Sequence, residues 1–254
     1  MSTPQLTQIE IDSFFDFGYF VRHNLFSPDE VTEMTESFDR LQSKARGLSS
    51  PELLEGSLFV VHGFRIDRIV WCGAAEGCLL DYGSDSRLTV PAAQLLGQSK
   101  MEHLICQAHF KLPADGVGFG WHQDSEHRRY GTSEWVDING RGSFVQTILA
   151  IDPATHENGP LRIVPGSCRF GHLGLDKDHA KLPKIDASQT HPMLLAAGSV
   201  LFLNPFTIHG SEPNQSSLSR RVFINGYAYP GANRRVYPGD GAGRTLEVRA
   251  DQDR

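Results

Sequence analysis

Residues 104–112 alternate strictly between two sets of side chains, and this alternation predicts a β-strand. One face carries Leu104, Cys106, Ala108, Phe110 and Leu112, and the other carries Ile105, Gln107, His109 and Lys111. The first face is apolar and is expected to pack in the core, with Cys106 as a packing residue. Gln107 and His109 share the second face, which either lines a site or faces solvent.

Further strands are predicted from short apolar runs bounded by turn residues. They cover residues 58–61, 66–71, 161–164, 193–203 and 221–229. Residues 144–151 are apolar or small on both faces apart from Gln146 and Thr147, which is typical of a strand buried on both sides. Residues 14–26 are rich in aromatic side chains and are expected to be extended.

Two helices are predicted in the N-terminal half. Val31, Met34, Phe38 and Leu41 recur at helical spacing. Ser27 is the expected N-cap of this helix, Pro28 its first residue, and Glu30 completes a capping box. A second, short helix is expected to begin at Pro91 and to end before Gly97. Many short strands, few helices and no alternation of strands with helices predict a mainly β fold with added helices.

Composition narrows the possible functions. The 254 residues favour one domain, and the formal net charge of −6 comes without a basic block, which argues against a nucleic-acid partner. No run of about 18 apolar residues predicts a membrane span, and the first residues do not resemble a secretion signal. We therefore expect a soluble, cytoplasmic protein. The four cysteines lack zinc-site spacing and are expected to be reduced.

The candidate chemistry is concentrated around His122 and Asp124. In an extended segment residues i and i+2 point the same way, so these two side chains can bind one metal ion while Gln123 faces away. A further histidine, His209, follows the apolar run of residues 199–203 and a turn. Two imidazoles and one carboxylate form the facial triad of non-heme Fe(II) oxygenases, which leaves open coordination positions.

A pair of arginines follows His209. Arg220 comes eleven residues later, and Arg221 is next to it. Adjacent residues of a strand point to opposite faces, so only one of them can enter the site, and the pattern alone does not choose between them. Arginine is suited to a carboxylate because its rigid fork forms two hydrogen bonds and keeps its charge.

Together these motifs resemble the phytanoyl-CoA dioxygenase family of Fe(II)/2-oxoglutarate oxygenases, which includes bacterial hydroxylases of small metabolites such as ectoine. The resemblance covers nearly the whole chain. It is carried by residues 16–20, 121–124, 157–167 and 209–211 and by Arg220. One departure is Cys168, where the family often has a histidine that is not a metal ligand.

The resemblance implies a double-stranded β-helix core, the jelly-roll barrel also used by cupins. Residues 1–254 would then form one oxygenase domain. Within it, residues 1–100 would be helical and strand support, residues 101–230 the catalytic jelly roll, and residues 231–254 a tail that wraps the surface or is partly disordered.

The resemblance also implies the cofactors and their binding residues. Fe(II) would be held by His122, Asp124 and His209, with 2-oxoglutarate and dioxygen at the open positions. The eleven-residue offset matches the family's 2-oxoglutarate arginine and so favours Arg220. Other residues assigned to this cosubstrate are Thr147, Ser211 and Gln107. The alternatives are that Thr147 is only a strand residue and Ser211 only a turn residue.

The substrate pocket is assigned to Phe119, His109 and the polar loop of residues 125–142 that follows Asp124. This loop is expected to be a lid or substrate wall through Arg128 and Trp135. The alternative is a solvated connection with Trp135 in the core. A second polar stretch, residues 168–192, contains His172, His179 and His191, which are expected to be exposed, not metal-bound.

The predicted function is hydroxylation of a small polar metabolite with release of succinate and carbon dioxide. Related halogenases replace the carboxylate ligand by a small residue, and Asp124 argues against that chemistry. One alternative is the same cofactor chemistry leading to desaturation, epimerisation or ring formation. Another is a metal-binding jelly roll without turnover. The sequence does not predict an oligomeric state.

Overall fold

A computed structural model describes residues 4–174 and 184–248. Its α-helices are α1 Gln8–Asp16, α2 Pro28–Ala45, α3 Gly77–Tyr82, α4 Ser86–Leu96 and α5 Asp124–His127. Its strands are β1 Tyr19–Arg22, β2 Glu52–Leu54, β3 Ser57–His62, β4 Arg65–Val70, β5 Lys100–His109, β6 Phe119–His122, β7 Phe144–Ala150, β8 Arg162–Ile163, β9 His191–Pro192, β10 Val200–Leu203, β11 His209–Ser211, β12 Val222–Ala228 and β13 Arg244–Glu247.

The strands form two antiparallel sheets. The larger has the order β1-β10-β7-β12-β5-β4-β3-β2, with β13 also paired to β5, and the smaller has the order β6-β11-β8-β9. This arrangement confirms the predicted mainly β fold with added helices. The two sheets enclose a cavity, whose walls come from β5, β7 and β12 on one side and from β6 and β11 on the other.

Both faces of the larger sheet are buried at its central strand β7. On the outer face, Val145 and Leu149 of β7 pack in one cluster with Phe38 of α2 and Leu95 of α4. On the inner face, Ile148 and other side chains form two clusters that extend toward the smaller sheet and the loop after Asp124. Every residue of β7 is buried, as the sequence predicted.

The helix predictions are partly confirmed. Ser27 caps α2, with hydrogen bonds from Glu30 N to Ser27 Oγ (3.3 Å) and from Ser27 N to Glu30 Oε2 (2.8 Å). The predicted start of the next helix at Pro91 is wrong, because α4 begins at Ser86 with Asp85 as N-cap and Pro91 lies inside it. Its end before Gly97, which has a left-handed φ of 68°, is confirmed.

Residues 14–16 are helical, so the expectation that residues 14–26 are all extended is wrong. They form the end of α1, which has a capping box between Thr7 and Glu10. Only Phe14 of this helix is fully buried, so its apolar pattern is too weak to identify it. Tyr19–Arg22 is extended as β1, at the edge of the larger sheet beside β10.

Some predicted strands have different limits. The alternating strand runs earlier than expected, as β5, but its two faces are as predicted. The expected strand of residues 193–203 is broken by a turn at Gly198, whose φ is 82°, so β10 starts at Val200. Strand β8 has two residues, and β12 lies within the predicted residues 221–229.

The chain after Pro230 packs on the loop that follows Asp124. Val136 N donates to Ala232 O (2.9 Å) and Arg234 N to Glu134 O (3.0 Å). Further along the chain, β13 pairs with the first residues of β5. Up to residue 248 this segment therefore lies against the rest of the described chain, and the predicted division of the domain stays a prediction. His179 lies outside the described residues. Among the described helices none is both long and apolar enough to cross a membrane.

Candidate metal centre

The three predicted metal ligands lie together at one end of the cavity. His122 of β6 and His209 of β11 are partners in the antiparallel register, and their ring centroids are 4.3 Å apart. Asp124 Oδ1 lies 3.9 Å from His209 Nε2. One ligating atom from each of the three residues can be chosen so that all lie within 4.8 Å of one another. This spacing allows one ion to contact all three.

Asp124 reaches this position from the start of a helical turn, not from a continued strand. Gln123 is the last extended residue, and Asp124 begins α5, so the expected extended conformation of Asp124 is wrong. The side chain of Gln123 points away, as predicted, and its amide nitrogen donates to Phe206 O at 2.6 Å and to Gly171 O at 2.9 Å. These bonds fix the backbone between the two ligands.

Hydrogen bonds orient both imidazoles. His122 Nδ1 lies 2.7 Å from Gly120 O, and His209 Nδ1 lies 2.9 Å from Thr207 O. A carbonyl oxygen only accepts hydrogen bonds, so Nδ1 of each ring carries a proton, and Nε2 is the nitrogen left to bind a metal. Metal-binding histidines are commonly oriented in this way.

The electrostatics of the triad also fit a divalent metal. Burial, together with the charge of His209, lowers the pKa of His122 to about 4, which keeps that ring neutral near pH 7. Burial acts to raise the pKa of Asp124, but attraction to His209 and His122 outweighs it and the pKa is lowered. Asp124 Oδ2 is buried and has no hydrogen-bond partner among the described residues. Two imidazoles with Nε2 turned to the site and an ionised carboxylate with an unpaired oxygen suit Fe(II).

The two adjacent arginines take opposite sides, as the strand geometry requires. Arg220 lines the cavity, is only 7% exposed, and its Nε has no partner among the described residues. Burial lowers its pKa to about 10, so it remains charged at neutral pH. Arg221 instead pairs with Asp152 at 2.8 Å and with Asp39 at 2.5 Å. Arg220 is thus the buried cation open to a ligand.

Lys111 is a cavity residue to which the sequence analysis assigned no role. Its Nζ donates to Ser211 Oγ at 2.7 Å, to Gly159 O at 3.3 Å and to Glu212 O. Burial, and then repulsion by Arg220, lowers its pKa to about 7. The alternation of β5 had already placed Lys111 on the face of Gln107 and His109, and that pattern was the available signal.

Most of the other predicted site residues also line the cavity, which has a volume of about 370 Å³. These are Phe119, Gln107, His109, Arg128 and Ser211. His109 Nε2 is 2.9 Å from Gln107 Oε1, and burial is the main cause that lowers the pKa of His109 to about 3. Arg68, His127 and Gln146 line it too, although none of them was assigned to the site by residue. His127 belongs to the loop that was predicted as a substrate wall.

Two predicted site residues do not reach the cavity. Thr147 lies on the outer face of β7, whereas its neighbours Gln146 and Ile148 line the cavity. Trp135 is 4% exposed and packs on Tyr130 and Phe144, so the alternative of a core tryptophan is the correct one. In the loop of residues 125–142, His127 and Arg128 line the cavity.

Comparison with known proteins gives consistent matches. The family model described as phytanoyl-CoA dioxygenase (PhyH) matches residues 14–222. The ectoine dioxygenase of Bordetella bronchiseptica is 27% identical over 250 residues, covering 86% of this chain and 74% of that protein. The L-proline trans-4-hydroxylase of Streptomyces griseoviridis is 27% identical over 161 residues, covering 54% and 57%.

Solved structures share the fold. EctD from S. alaskensis, with 2-oxoglutarate and 5-hydroxyectoine, superposes with a TM-score of 0.75 at 21% identity, covering 98% of this chain and 86% of that one. EvdO2 from Micromonospora carbonacea, complexed with 2-oxoglutarate, has a TM-score of 0.68 at 20% identity, covering 92% and 96%. These likenesses support the jelly-roll architecture of the two sheets.

Proposed function

Because the chain belongs to the phytanoyl-CoA dioxygenase family, and thus to the Fe(II)- and 2-oxoglutarate-dependent dioxygenases, we propose that it hydroxylates a small polar metabolite. The observation that carries this proposal is the arrangement of His122, Asp124 and His209. Their geometry offers two Nε2 lone pairs and a carboxylate oxygen to one ion. We assign these three residues as the iron ligands.

We assign the distal carboxylate of 2-oxoglutarate to Arg220. Its guanidinium is buried, charged and without a carboxylate partner within 4.0 Å among the described residues. A bidentate Arg–carboxylate pair would offset the cost of burying this charge. Ser211 and Lys111 form a hydrogen-bonded pair on the same cavity wall and are assigned as further cosubstrate contacts, with Gln107 nearby on β5.

When bound, iron supplies oxidative decarboxylation of 2-oxoglutarate by dioxygen, which yields succinate and carbon dioxide and places one oxygen atom in a substrate C–H bond. The protein's own residues bind and orient the reactants. The Nδ1–H groups of His122 and His209 hold both rings in position, and Asp124 remains ionised. Phe119 and Ile148 are apolar parts of the cavity wall that limit the access of water.

The size and lining of the cavity support a small polar substrate. About 370 Å³ is near the lower end of the range of small-molecule sites, and 2-oxoglutarate must share this space. Gln107, Gln146 and Arg128 provide polar groups beside the metal ligands. The similar proteins named for ectoine and L-proline oxidation act on molecules of this kind. A cytoplasmic location stays a prediction.

An anaerobic titration tests the cofactor assignment. Fe(II) and then 2-oxoglutarate are added to metal-free protein, and we expect the visible charge-transfer band of a chelated Fe(II)–2-oxoacid complex. His209→Ala and Arg220→Ala should lose or strongly weaken the band, whereas His191→Ala, at an exposed position, should retain it. Absence of the band in folded wild-type protein would contradict the proposal.

A substrate screen then tests the reaction type. Small polar metabolites are scored by substrate-dependent formation of succinate, and the products are weighed by mass spectrometry. Hydroxylation adds one oxygen atom to the substrate, desaturation or ring closure removes two hydrogen atoms, and epimerisation leaves the mass unchanged. A product heavier by one oxygen atom is the expected result.

A further inference from the structure

Arg128 is a second buried cation in the cavity that the proposed cofactor site does not use. It follows α5 directly, so it lies one helical turn after Asp124, and its backbone N donates to Asp124 O at 3.1 Å. The residue is 8% exposed, and its Nε and Nη1 are buried without a hydrogen-bond partner among the described residues. Both nitrogens are therefore unsatisfied donors.

Two aromatic rings hold the guanidinium in place. Its Cζ lies 5.1 Å from the ring centroid of Phe144 and 5.3 Å from that of Tyr237. Cation–π contacts of this kind favour a buried cation but leave its in-plane N–H groups unpaired. Tyr237 belongs to the C-terminal segment that packs on this loop, and Phe144 belongs to β7. Two separate parts of the chain therefore position the guanidinium of Arg128 at the cavity.

The charges that line the cavity are unequal. Among the described residues, three arginines and one lysine line it, Arg68, Arg128, Arg220 and Lys111, against the single carboxylate of Asp124. Lys111 has three oxygen partners, and Arg220 is assigned to 2-oxoglutarate. Neither Arg68 nor Arg128 has a carboxylate within 4.0 Å in residues 4–174 and 184–248. Two cations therefore remain without a counter-ion after the cosubstrate is placed.

We propose that the substrate carries an oxyanionic group, a carboxylate or a phosphoryl group, which Arg128 binds with Arg68 as a second cation. This inference rests on the proposed function and specifies its substrate class. Burying an unpaired guanidinium is costly, and a bidentate oxyanion would satisfy both the charge and the two unused donors. Because Arg128 is one turn from Asp124, the oxidised carbon should lie near the anionic group.

Binding of simple probes to the protein loaded anaerobically with Fe(II) and 2-oxoglutarate tests this proposal. Butyrate, butylphosphonate and the neutral butyramide are titrated by calorimetry. We expect at least one of the two anions to bind with one site per chain and at least about tenfold more tightly than butyramide. Tighter binding of butyrate would indicate a carboxylate site, and tighter binding of butylphosphonate would indicate a phosphoryl site. Equal binding of all three probes, or no binding by either anion, would overturn the proposal.

Variants of Arg128 provide a second test of the proposed oxyanion site. Arg128→Gln should raise the dissociation constant of the tighter-binding anion by at least about tenfold. Arg128→Lys keeps the charge but loses the planar fork, so it should bind this anion more tightly than Arg128→Gln and less tightly than wild type. Arg141→Gln is the matched control, because Arg141 is exposed and lies against Phe15, outside the cavity lining. Unchanged anion affinity in Arg128→Gln would contradict the assignment.

Two readouts separate this inference from the proposed function and from a structural role. The charge-transfer band and the affinity for 2-oxoglutarate are measured first, and both should stay within about twofold of wild type in Arg128→Gln. Absence of the charge-transfer band from wild-type protein would refute the cofactor assignment. A normal band, with anions bound no more tightly than butyramide, would refute only the oxyanion site at Arg128. The melting temperature of Arg128→Gln should change little, because the cation–π contacts that are lost are offset by removal of a buried guanidinium without hydrogen-bond partners.

Discussion

His122 and His209 lie directly opposite each other across β6 and β11, with their ring centroids 4.3 Å apart. Directly paired residues of antiparallel strands have their side chains on the same face, at a separation that the sheet fixes. Strand pairing thus brings together two ligands that are far apart in the sequence. The third ligand, Asp124, is set by the turn of α5, and it is the only carboxylate that lines the cavity within the described chain.

Removal of this carboxylate should abolish coupled turnover. We expect Asp124→Gly to lower succinate formation by at least about 100-fold, since residues that only orient metal ligands already account for 10- to 100-fold. Bound iron per chain and succinate formation with substrate measure the effect. Asp186→Asn, at an exposed position, is the control. Full coupled turnover in Asp124→Gly would show that Asp124 is not a ligand.

The two adjacent arginines should give opposite phenotypes. Arg220→Gln is expected to raise the KM for 2-oxoglutarate by about 10- to 100-fold, because a charge-assisted pair contributes roughly 1.5–3 kcal/mol. Arg221→Gln should leave this KM within about twofold but lower the free energy of unfolding by about 2 kcal/mol, through loss of the pairs with Asp152 and Asp39. Steady-state kinetics and urea unfolding distinguish the two effects. The reverse result would mean that Arg221 holds the cosubstrate.

The hydroxyl groups of Ser211 and Thr147 were both predicted to bind 2-oxoglutarate, but their removal should affect the KM for this cosubstrate differently. Ser211→Ala removes an acceptor of Lys111 and should raise the KM for 2-oxoglutarate by about 3- to 10-fold, as expected for one hydrogen bond. Thr147→Val should leave the KM unchanged, because Thr147 lies on the outer face of β7 and does not line the cavity, unlike its neighbours Gln146 and Ile148. A raised KM in Thr147→Val would contradict that placement.

Acid should destabilise the fold through His103. This histidine is fully buried between Trp71 and Tyr227, and burial lowers its pKa from 6.5 to about 4. Between these two values the unfolded chain binds the proton and the folded chain does not, so stability is complete above pH 6.5 and falls as the pH approaches 4. The loss is about 3 kcal/mol at most.

Urea unfolding at several pH values of the metal-free protein measures this effect. His103→Asn should show a smaller fall in the free energy of unfolding between pH 6.5 and 4. The buried His109, whose pKa is lowered to about 3 mainly by burial, leaves part of the pH dependence in place. An unchanged slope in His103→Asn would show that His103 is not responsible.

Local patterns in the sequence determined the elements whose signals lie within a few residues. The capping box of Ser27 and Glu30 specified the start of α2, because those hydrogen bonds are formed within one turn. The alternation of β5 specified which side chains share a face. The spacing of His122 and Asp124 and the offset from His209 to Arg220 identified the metal and cosubstrate candidates through resemblance to a family.

Only the tertiary structure decided which face of a buried strand meets the cavity. A period of two residues groups side chains by face, but when both faces are buried, as in β7, it does not distinguish the outer core from the inner cavity. The cosubstrate role of Thr147 came from the family resemblance, and the structure places this residue on the face of β7 that is turned away from the cavity. Tertiary contacts also set the surroundings of other residues. Trp135 packs on Phe144, Lys111 donates to Ser211, and Arg128, which was predicted to line the pocket, lies against Tyr237. Local periodicity carries no information about such distant contacts, and packing between elements sets them.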